Sequence, residues 1–528
     1  MTDRRWDAIV IGGGHNGLVT AAYLARGGMN VLVLEANATV GGAASTREFA
    51  PGFRVDAGPH SLGWFHPGVI ADLDLPRHGL EWSTAPDPPL AALAADGELV
   101  PIWRDPRKAG DALGRFGRGD VQQWPAFVQW VRKTAAVVGR LRDMVMPELP
   151  DPAVADLPSL IGLGLGWRRL GKRDMGELLR VLPLPVADLA DDWLESDLVK
   201  GLVAAGALVG IDQGPMAQGT ALPLFAHHGG DGIRPVAFPR GGVGRLVEAL
   251  QAAAIAAGVT VRTAARVARV RVAGGRVMGV TLWDGEEVPA ARVVSNVDPQ
   301  STMLRLVDPA VLDPDFVRSV RHIRCRGVTA KVHLALEQLP LRVPAHRELL
   351  AGLVIHAPSL RFLERAHDDA KHGAAAADPM IEWTVPTIRD PSCAPEGRHV
   401  VSAMVQWAPY ALRDASWTAE AKGRLLEAVV RVLERVAPGV AEAVIASEVL
   451  VPPDLEQAFG LPRGDLYHGQ PALDQLFFMR PVGGWARHRT PVEGLYLCGA
   501  GTHPAGGVTG APGRLAARAV LADAGRRR

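Results

Sequence analysis

Two hydrophobic patterns alternate along this chain, and together they predict an α/β protein. Four apolar residues in a row at 8–11 are typical of a buried parallel strand, and residues 18–26 after a glycine cluster have helical composition. The alternating segments 267–272 and 276–282, joined through two glycines, indicate a β-hairpin. The same patterns predict further strands at 30–35, 259–262, 292–296, 328–336, 380–386 and 399–407, and helices at 246–257 and 419–436.

The first glycine cluster has the spacing of a dinucleotide-binding loop. Gly12, Gly14 and Gly17 form GxGxxG directly after the first strand. The first glycine permits a tight turn, the second lets the backbone approach a pyrophosphate, and the third lets helix and strand pack closely. Glu35 ends the next strand roughly 20 residues later, where an acid accepts the ribose hydroxyls. We therefore predict a dinucleotide site here.

A second glycine pair indicates which dinucleotide is bound. Gly41 and Gly42, with a hydroxyl at Ser45, follow the acidic residue directly, and flavoproteins place such a group beside the pyrophosphate. This segment, the run 51–61 and the closing segment 494–513 make the chain similar to the FAD-dependent amine oxidase and phytoene desaturase superfamily. The resemblance implies that the cofactor is FAD.

The resemblance covers both ends of the chain and several blocks between them. The segments 13–18 and 502–504 most resemble, within the superfamily, the group named pyridine nucleotide-disulfide oxidoreductase domain-containing protein 2. By resemblance the backbone of Val267 faces the adenine. The cofactor contacts that motif and resemblance together predict are Gly12, Gly14, His15, Asn16, Gly17, Glu35, Gly41, Gly42, Ser45, Val267, Gly501, Gly507, Val508 and Thr509.

The predicted fold is α/β, with a Rossmann-type FAD-binding domain of the glutathione reductase-like kind interleaved with an α+β substrate domain. The FAD-binding domain takes residues 1–85, 233–299 and 461–528. The substrate domain takes 86–232, which is helical and loop-like in composition, and 300–460, where strands and a helix suggest a sheet with a helical lid.

Composition excludes several classes of function. The formal net charge of the 528 residues is +1, so we expect no nucleic-acid partner. Cys325, Cys393 and Cys498 lie far apart without a CxxC pair, which argues against a redox-active dithiol and a disulfide framework. We expect no metal site. The cysteines, and an N-terminus without a signal peptide's apolar region, indicate the cytoplasm.

Two apolar stretches leave membrane contact open, although neither reaches the roughly 18 residues of a spanning helix. They are 159–167, followed by Arg168 and Arg169, and 201–211. One interpretation places them in the core of the substrate domain. The other is peripheral contact with the inner face of the membrane, where arginines meet head groups.

Flavin chemistry requires the protein to position the substrate, to place polar groups near the reduced ring and, in some reactions, to supply a base. Segment 506–510 is predicted to aim the N-terminal amides of the closing helix at the flavin. Lys331 shares one face of strand 328–336 with Thr329 and His333, and this face meets either solvent or the flavin cavity. His60 and His503 are further catalytic candidates, with structural roles as the alternative.

The resemblance implies an FAD-dependent oxidoreductase that dehydrogenates a small hydrophobic, carotenoid- or lipid-like substrate. Oxygen or a quinone is the expected acceptor, because the sequence has only one complete nucleotide fingerprint. A flavin amine oxidase is an alternative that the lack of an aromatic ring at 508–510 disfavours. A flavin-binding interaction protein without turnover is the other.

Overall fold

The computed structural model describes residues 6–147, 156–227, 233–341, 346–413 and 415–525. Residues 1–5, on which the expectation of no signal peptide partly rests, lie outside these ranges. The strands are β1 (Ala8–Ile11), β2 (Val31–Leu34), β3 (Thr46–Ala50), β4 (Phe53–Asp56), β5 (Leu90–Leu93), β6 (Leu99–Ile102), β7 (Thr260–Arg262), β8 (Val267–Ala273), β9 (Arg276–Leu282), β10 (Glu287–Pro289), β11 (Val293–Ser295), β12 (Thr329–Leu336), β13 (Leu353–His356), β14 (Ile381–Thr384), β15 (His399–Gln406), β16 (Val444–Leu450) and β17 (Leu495–Leu497).

The helices include short single turns between the longer elements. They are α1 (His15–Arg26), α2 (Pro67–Asp72), α3 (Pro106–Leu113), α4 (Asp120–Asp143), α5 (Leu157–Arg169), α6 (Lys172–Val181), α7 (Val186–Trp193), α8 (Asp197–Leu208), α9 (Leu222–His227), α10 (Gly244–Ala256), α11 (Pro299–Ser301), α12 (Pro314–Arg321), α13 (His346–Leu349), α14 (Leu360–Lys371), α15 (Pro386–Arg389), α16 (Ala419–Glu434), α17 (Val440–Ala443), α18 (Pro452–Phe459) and α19 (Ala511–Gly525).

A parallel sheet carries the predicted nucleotide fold. Among the described residues its order is β17-β11-β1-β2-β7, so strands far apart in sequence become neighbours. β1 shows how both faces are covered: Ala8 and Val10 pack in the cluster with helices α1, α10 and α19, whereas Ile9 and Ile11 pack toward the β8–β10 sheet. A strand buried on both faces explains the continuous apolar run at 8–11.

A larger mixed sheet supplies the second layer. Its order in the described chain is β16-β12-β15-β14-β13-β5-β6. Helix α16 covers one face, where Leu425 and Val429 pack with Val332 and Val401. This arrangement agrees with the predicted sheet and helical lid. The domain boundaries themselves stay a prediction.

The composition of residues 86–232 led to a wrong expectation at its N-terminal end. The expectation was helix and loop, but β5 and β6 form a hairpin that joins the large sheet through parallel pairing of β5 with β13. The prolines around the hairpin suggested a loop. Pro101 is nevertheless accommodated, because β6 is the edge strand and need not donate from every residue.

The two apolar stretches have different surroundings. Residues 201–211, in and after α8, are all buried, so the core interpretation holds for that stretch. Helix α5 instead exposes Leu157, Ile161 and Leu165, whose exposed fractions are 48%, 60% and 50%. In the part of the chain that the structure describes, none of the helices combines the length and the apolar character needed to cross a bilayer.

Strand β12 carries Lys331, one of the catalytic candidates. Its even-numbered residues Val332 and Leu334 face the α16 layer. On the other face, Ala335 packs with Phe53 and Val55 of the β3–β4 hairpin, and the His333 and Phe49 rings lie 5.7 Å apart. All eight residues of β12 are buried, so the solvent-exposed alternative for Lys331 is wrong. The polar face of this strand therefore lies between the large sheet and the β3–β4 hairpin.

Candidate active site

The glycine loop between β1 and α1 has the backbone geometry that its sequence predicts. Gly12 has a φ of +94°, which favours glycine, and Gly14 is the N-cap of α1. A Cβ on Gly17 would lie 2.1 Å from the Gly12 carbonyl oxygen, and one on Gly14 would lie 2.8 Å from Asn296 Nδ2. At position 17 only glycine therefore permits the close approach of helix and loop, whereas at position 14 the end of the Asn296 side chain would have to move.

Glu35 holds this loop in place as well as lining the cavity. Its Oε2 accepts a 2.7 Å hydrogen bond from Gly13 N, and its Oε1 accepts a 2.8 Å bond from Asn37 N. Each carboxylate oxygen has further acceptor capacity. The side chain is thus fixed at the end of β2, with lone pairs left for ribose hydroxyls.

A cavity of about 1060 Å³ adjoins this loop. Its size and its lining by the glycine loop and the Glu35 carboxylate fit FAD. Among the predicted cofactor contacts, those that line it are Gly12, Gly14, His15, Asn16, Glu35, Gly41, Gly42, Val267, Gly507 and Val508.

The four remaining predicted cofactor contacts lie behind the residues that line the cavity. Gly17 packs against Gly12, and Ser45 Oγ donates a 2.8 Å hydrogen bond to Gly42 O. Gly501 packs against Pro299, and Thr509 O accepts a 2.9 Å bond from His66 N. These four residues therefore shape the loops that line the cavity without being part of its lining.

The closing segment differs from its predicted geometry in one respect. Helix α19 begins at Ala511, after the glycine-rich turn. Gly507 and Val508 line the cavity, whereas no residue of α19 does. The amides nearest the cavity therefore belong to the turn, and the first turn of α19 packs on α1, where Thr20 Oγ1 donates a 3.0 Å bond to Gly513 O.

Two aromatic residues of the site were not predicted from the sequence. Trp64 and Tyr467 both line the cavity beside the closing turn. A Cβ on Gly507 would lie 3.0 Å from the Trp64 ring, and one on Gly506 would lie 2.7 Å from the Tyr467 backbone. The Tyr467 hydroxyl donates a 2.7 Å hydrogen bond to Val209 O. The rings come from segments distant in sequence, so the closing motif gave no signal for them.

His60 and Lys331 form a buried pair at the cavity wall. Lys331 Nζ lies 3.3 Å from His60 Nδ1, and the two residues are 1% and 6% exposed. His60 lines the cavity, whereas Lys331 does not. Burial lowers the pKa of Lys331 to about 7, although nearby Asp56 and Glu382 oppose this shift. Burial, with the charge of Lys331, holds the pKa of His60 well below its ordinary value.

His503 does not join this pair. Its Nε2 lies 2.7 Å from Leu141 O, and it is not among the residues that line the cavity. Burial lowers its pKa to about 3, which keeps the ring neutral and able to donate to that carbonyl. This placement agrees with the structural alternative for His503. His333 likewise bonds Ser402, with Nδ1 3.0 Å from Oγ.

Comparison with known proteins identifies the class. The chain matches the family described as flavin-containing amine oxidoreductase over residues 17–521, and it belongs to that family. It is an FAD-dependent oxidoreductase of the amine oxidase and phytoene desaturase superfamily.

The chain is also similar to individual known proteins over nearly its whole length. The chain is 34% identical to pyridine nucleotide-disulfide oxidoreductase domain-containing protein 2 of Rattus norvegicus, covering 98% of this chain and 94% of that one. It is 26% identical to the lycopene-forming phytoene desaturase of Pantoea ananas, over 97% and 98% of the two chains. Putrescine oxidase bound to putrescine shares the fold, with a TM-score of 0.62 at 16% identity over 99% and 100%.

Proposed function

We propose that this chain dehydrogenates an apolar substrate, with the Lys331–His60 pair receiving the proton that leaves with the hydride. Bound FAD supplies the hydride acceptor. The observation that carries the proposal is the buried pair itself: a histidine at the cavity wall backed by a lysine whose pKa is lowered to about 7. Proton transfer needs a group that can hold the proton near neutral pH, and in this pair that group is Lys331, which receives the proton through His60.

His60 and Lys331 have different roles in the proposed proton transfer. His60 faces the cavity, and its lowered pKa keeps the ring neutral, so it can relay the proton that the substrate carbon loses as the hydride departs. Lys331, when neutral, can take that proton onward through the 3.3 Å contact. When Lys331 is charged, it opposes a second charge on His60. The same contact therefore makes His60 a better base above pH 7 than below it.

The residues that line the cavity near the Lys331–His60 pair favour an apolar substrate. Met404 is the β15 partner of Lys331 in register and lines the cavity on the same face. Val209 and Leu466 also line it, beside Tyr467. Phytoene, the substrate in the name of one relative, is a hydrocarbon, which agrees with such a wall.

An amine substrate is the second candidate, because Trp64 and Tyr467 place two rings beside the closing turn. The carboxylates that line the cavity are Glu35, Asp298 and Glu456, and each has a structural partner. Glu35 holds Gly13, Asp298 caps α11 and Glu456 accepts from Arg463 N. These bonds leave Asp298 Oδ2 buried without a hydrogen-bond partner among the described residues, so Asp298 is the carboxylate that an ammonium ion would meet. The apolar lining by Val209, Met404 and Leu466 makes dehydrogenation of an apolar substrate the better supported.

Product analysis tests this function. Purified holoenzyme is incubated in air with apolar alkenes and polyenes, and with primary amines of matched length. We expect mass spectrometry to detect products that have lost two hydrogen atoms from the apolar substrates. Aldehydes formed only from the amines would contradict the proposal.

Reduced nicotinamide is expected not to reduce this flavin, and oxygen or a quinone is the proposed acceptor. The other glycine-rich turn, 241–244, has its amides occupied: Gly241 N donates to Asp390, Val243 N to Asp56 and Gly244 N to Thr46, at 2.7 to 2.8 Å. No amide of these three is left for a second pyrophosphate. Anaerobic stopped-flow mixing with NADPH should leave the flavin absorbance unchanged over seconds, and rapid bleaching would overturn the proposal.

We also propose that α5 makes peripheral contact with anionic lipid. Leu157, Ile161 and Leu165 are exposed at successive turns, and Arg168 and Arg169 follow on the same helix. Vesicles with anionic lipid should sediment the protein, and Ile161→Ser with Leu165→Ser should release most of it. Met278→Ser, which removes an exposed apolar side chain outside α5, is the control. Equal binding by all three proteins would contradict the proposal.

A further inference from the structure

An arginine lines the cavity beside the closing turn. Arg234 has a side chain that is only 11% exposed, and its Nη2 lies 2.6 Å from Glu382 Oε1. Its guanidinium carbon lies 4.6 Å from the centre of the Trp64 ring. Arg234 and Trp64 line the cavity, whereas Glu382 does not. The guanidinium is therefore held between a carboxylate behind it and an aromatic face beside it.

This arrangement leaves part of the hydrogen-bond donor capacity of the guanidinium unused. Glu382, on β14, is 2% exposed and fixes one end of the guanidinium. Arg234 Nε is buried and has no hydrogen-bond partner among the described residues. A buried guanidinium is costly unless its N–H groups are satisfied. Its planar set of donors matches the two oxygens of a carboxylate.

The guanidinium also disfavours a cationic ligand. It already occupies a position over the Trp64 face, which is where a ligand ammonium would bind by cation–π attraction. A second cation next to it would be repelled. The arginine side of the cavity thus selects against an amine and in favour of an anionic group.

We propose that Arg234 binds a carboxylate group on an otherwise apolar substrate, with Glu382 positioning the guanidinium from behind. This inference rests on the proposed function, since it adds one anionic anchor to the apolar substrate proposed above. Val209, Met404 and Leu466 would contact the hydrocarbon part, and Arg234 would set which carbon approaches His60.

Equilibrium binding without turnover tests this anchor. Oxidised holoenzyme is titrated anaerobically with octanoate, octylamine and octan-1-ol by isothermal titration calorimetry. We expect octanoate to bind at least about tenfold more tightly than the other two, and Arg234→Met to lose that preference. Arg240→Met removes an exposed arginine six residues along the same segment and should bind all three like wild type.

A second variant protects the test against misfolding. Arg234→Met leaves Glu382 buried without its partner, so Arg234→Met with Glu382→Gln removes both charges and should show the same loss of octanoate preference while retaining FAD. Preference for octylamine, equal binding of the three ligands, absence of binding, or a preference that survives in either variant would overturn the carboxylate anchor. Since no substrate is turned over, these outcomes leave the dehydrogenation test separate.

Discussion

Replacing Lys331 with methionine is expected to slow the reduction of the flavin by substrate at least about tenfold at pH 8, which is roughly 1.4 kcal/mol of barrier. Methionine keeps much of the length and apolar character of the lysine stem, so the packing between Met404 and His333 should survive. What disappears is the amine 3.3 Å from His60. Rapid-reaction absorbance under anaerobic conditions measures the rate.

The pH profile distinguishes a chemical role from a packing role. Burial lowers the pKa of Lys331 from near 10.5 to about 7, so the amine is charged below pH 7 and neutral above it. A neutral amine can receive a proton, and therefore the wild-type rate should rise as the pH passes through about 7 and then level off. In Lys331→Met this rise should vanish. Lys422→Met, which removes a surface ion pair with Asp454, is the control. Wild-type rates at every pH would remove Lys331 from the mechanism.

Replacing Glu35 with alanine is expected to weaken FAD binding by about a hundredfold or more. The carboxylate fixes Gly13 N and Asn37 N and is predicted to accept the ribose hydroxyls. Charge-assisted hydrogen bonds contribute about 1.5 to 3 kcal/mol each, and the loop that they order would also loosen. The dissociation constant is measured by titrating apoprotein with FAD and following the quenching of flavin fluorescence.

Two further variants sharpen this measurement. Glu35→Gln keeps one acceptor oxygen and should lose less affinity than Glu35→Ala. Glu286→Ala removes an exposed acid that pairs with Arg262, next to the end of β2 in the sheet, and should bind FAD like wild type. FAD held as tightly by Glu35→Ala as by wild type would refute the ribose assignment.

The parts of the fold that the sequence predicted well are local. The segment from β1 through α1 to Glu35 lies within 28 consecutive residues, and its glycine spacing follows from close packing that only glycine permits. The β8–β9 hairpin is equally local, since its alternation and its glycine turn are adjacent. Short-range patterns of this kind determine structure with little help from the rest of the chain.

The parts that the sequence did not predict depend on contacts between distant segments. Trp64, Arg234 and Tyr467 meet at the cavity although about 170 to 230 residues separate each from the next. β5 and β6 form a sheet edge only because β13 is there to pair with β5. His503 has a suggestive motif position, but its partner is a carbonyl of α4, 362 residues away. No periodic pattern in a single sequence predicts contacts between segments this far apart.

Anaerobic reduction of the bound flavin by a defined substrate panel is the most direct test of the proposed dehydrogenation. The panel contains apolar polyenes, long-chain carboxylates and primary amines of matched chain length, with dithionite as the control that shows the flavin to be reducible. We expect polyenes or carboxylates to bleach the flavin and the amines to leave it oxidised. Bleaching by amines alone, or by dithionite alone, would contradict the proposal.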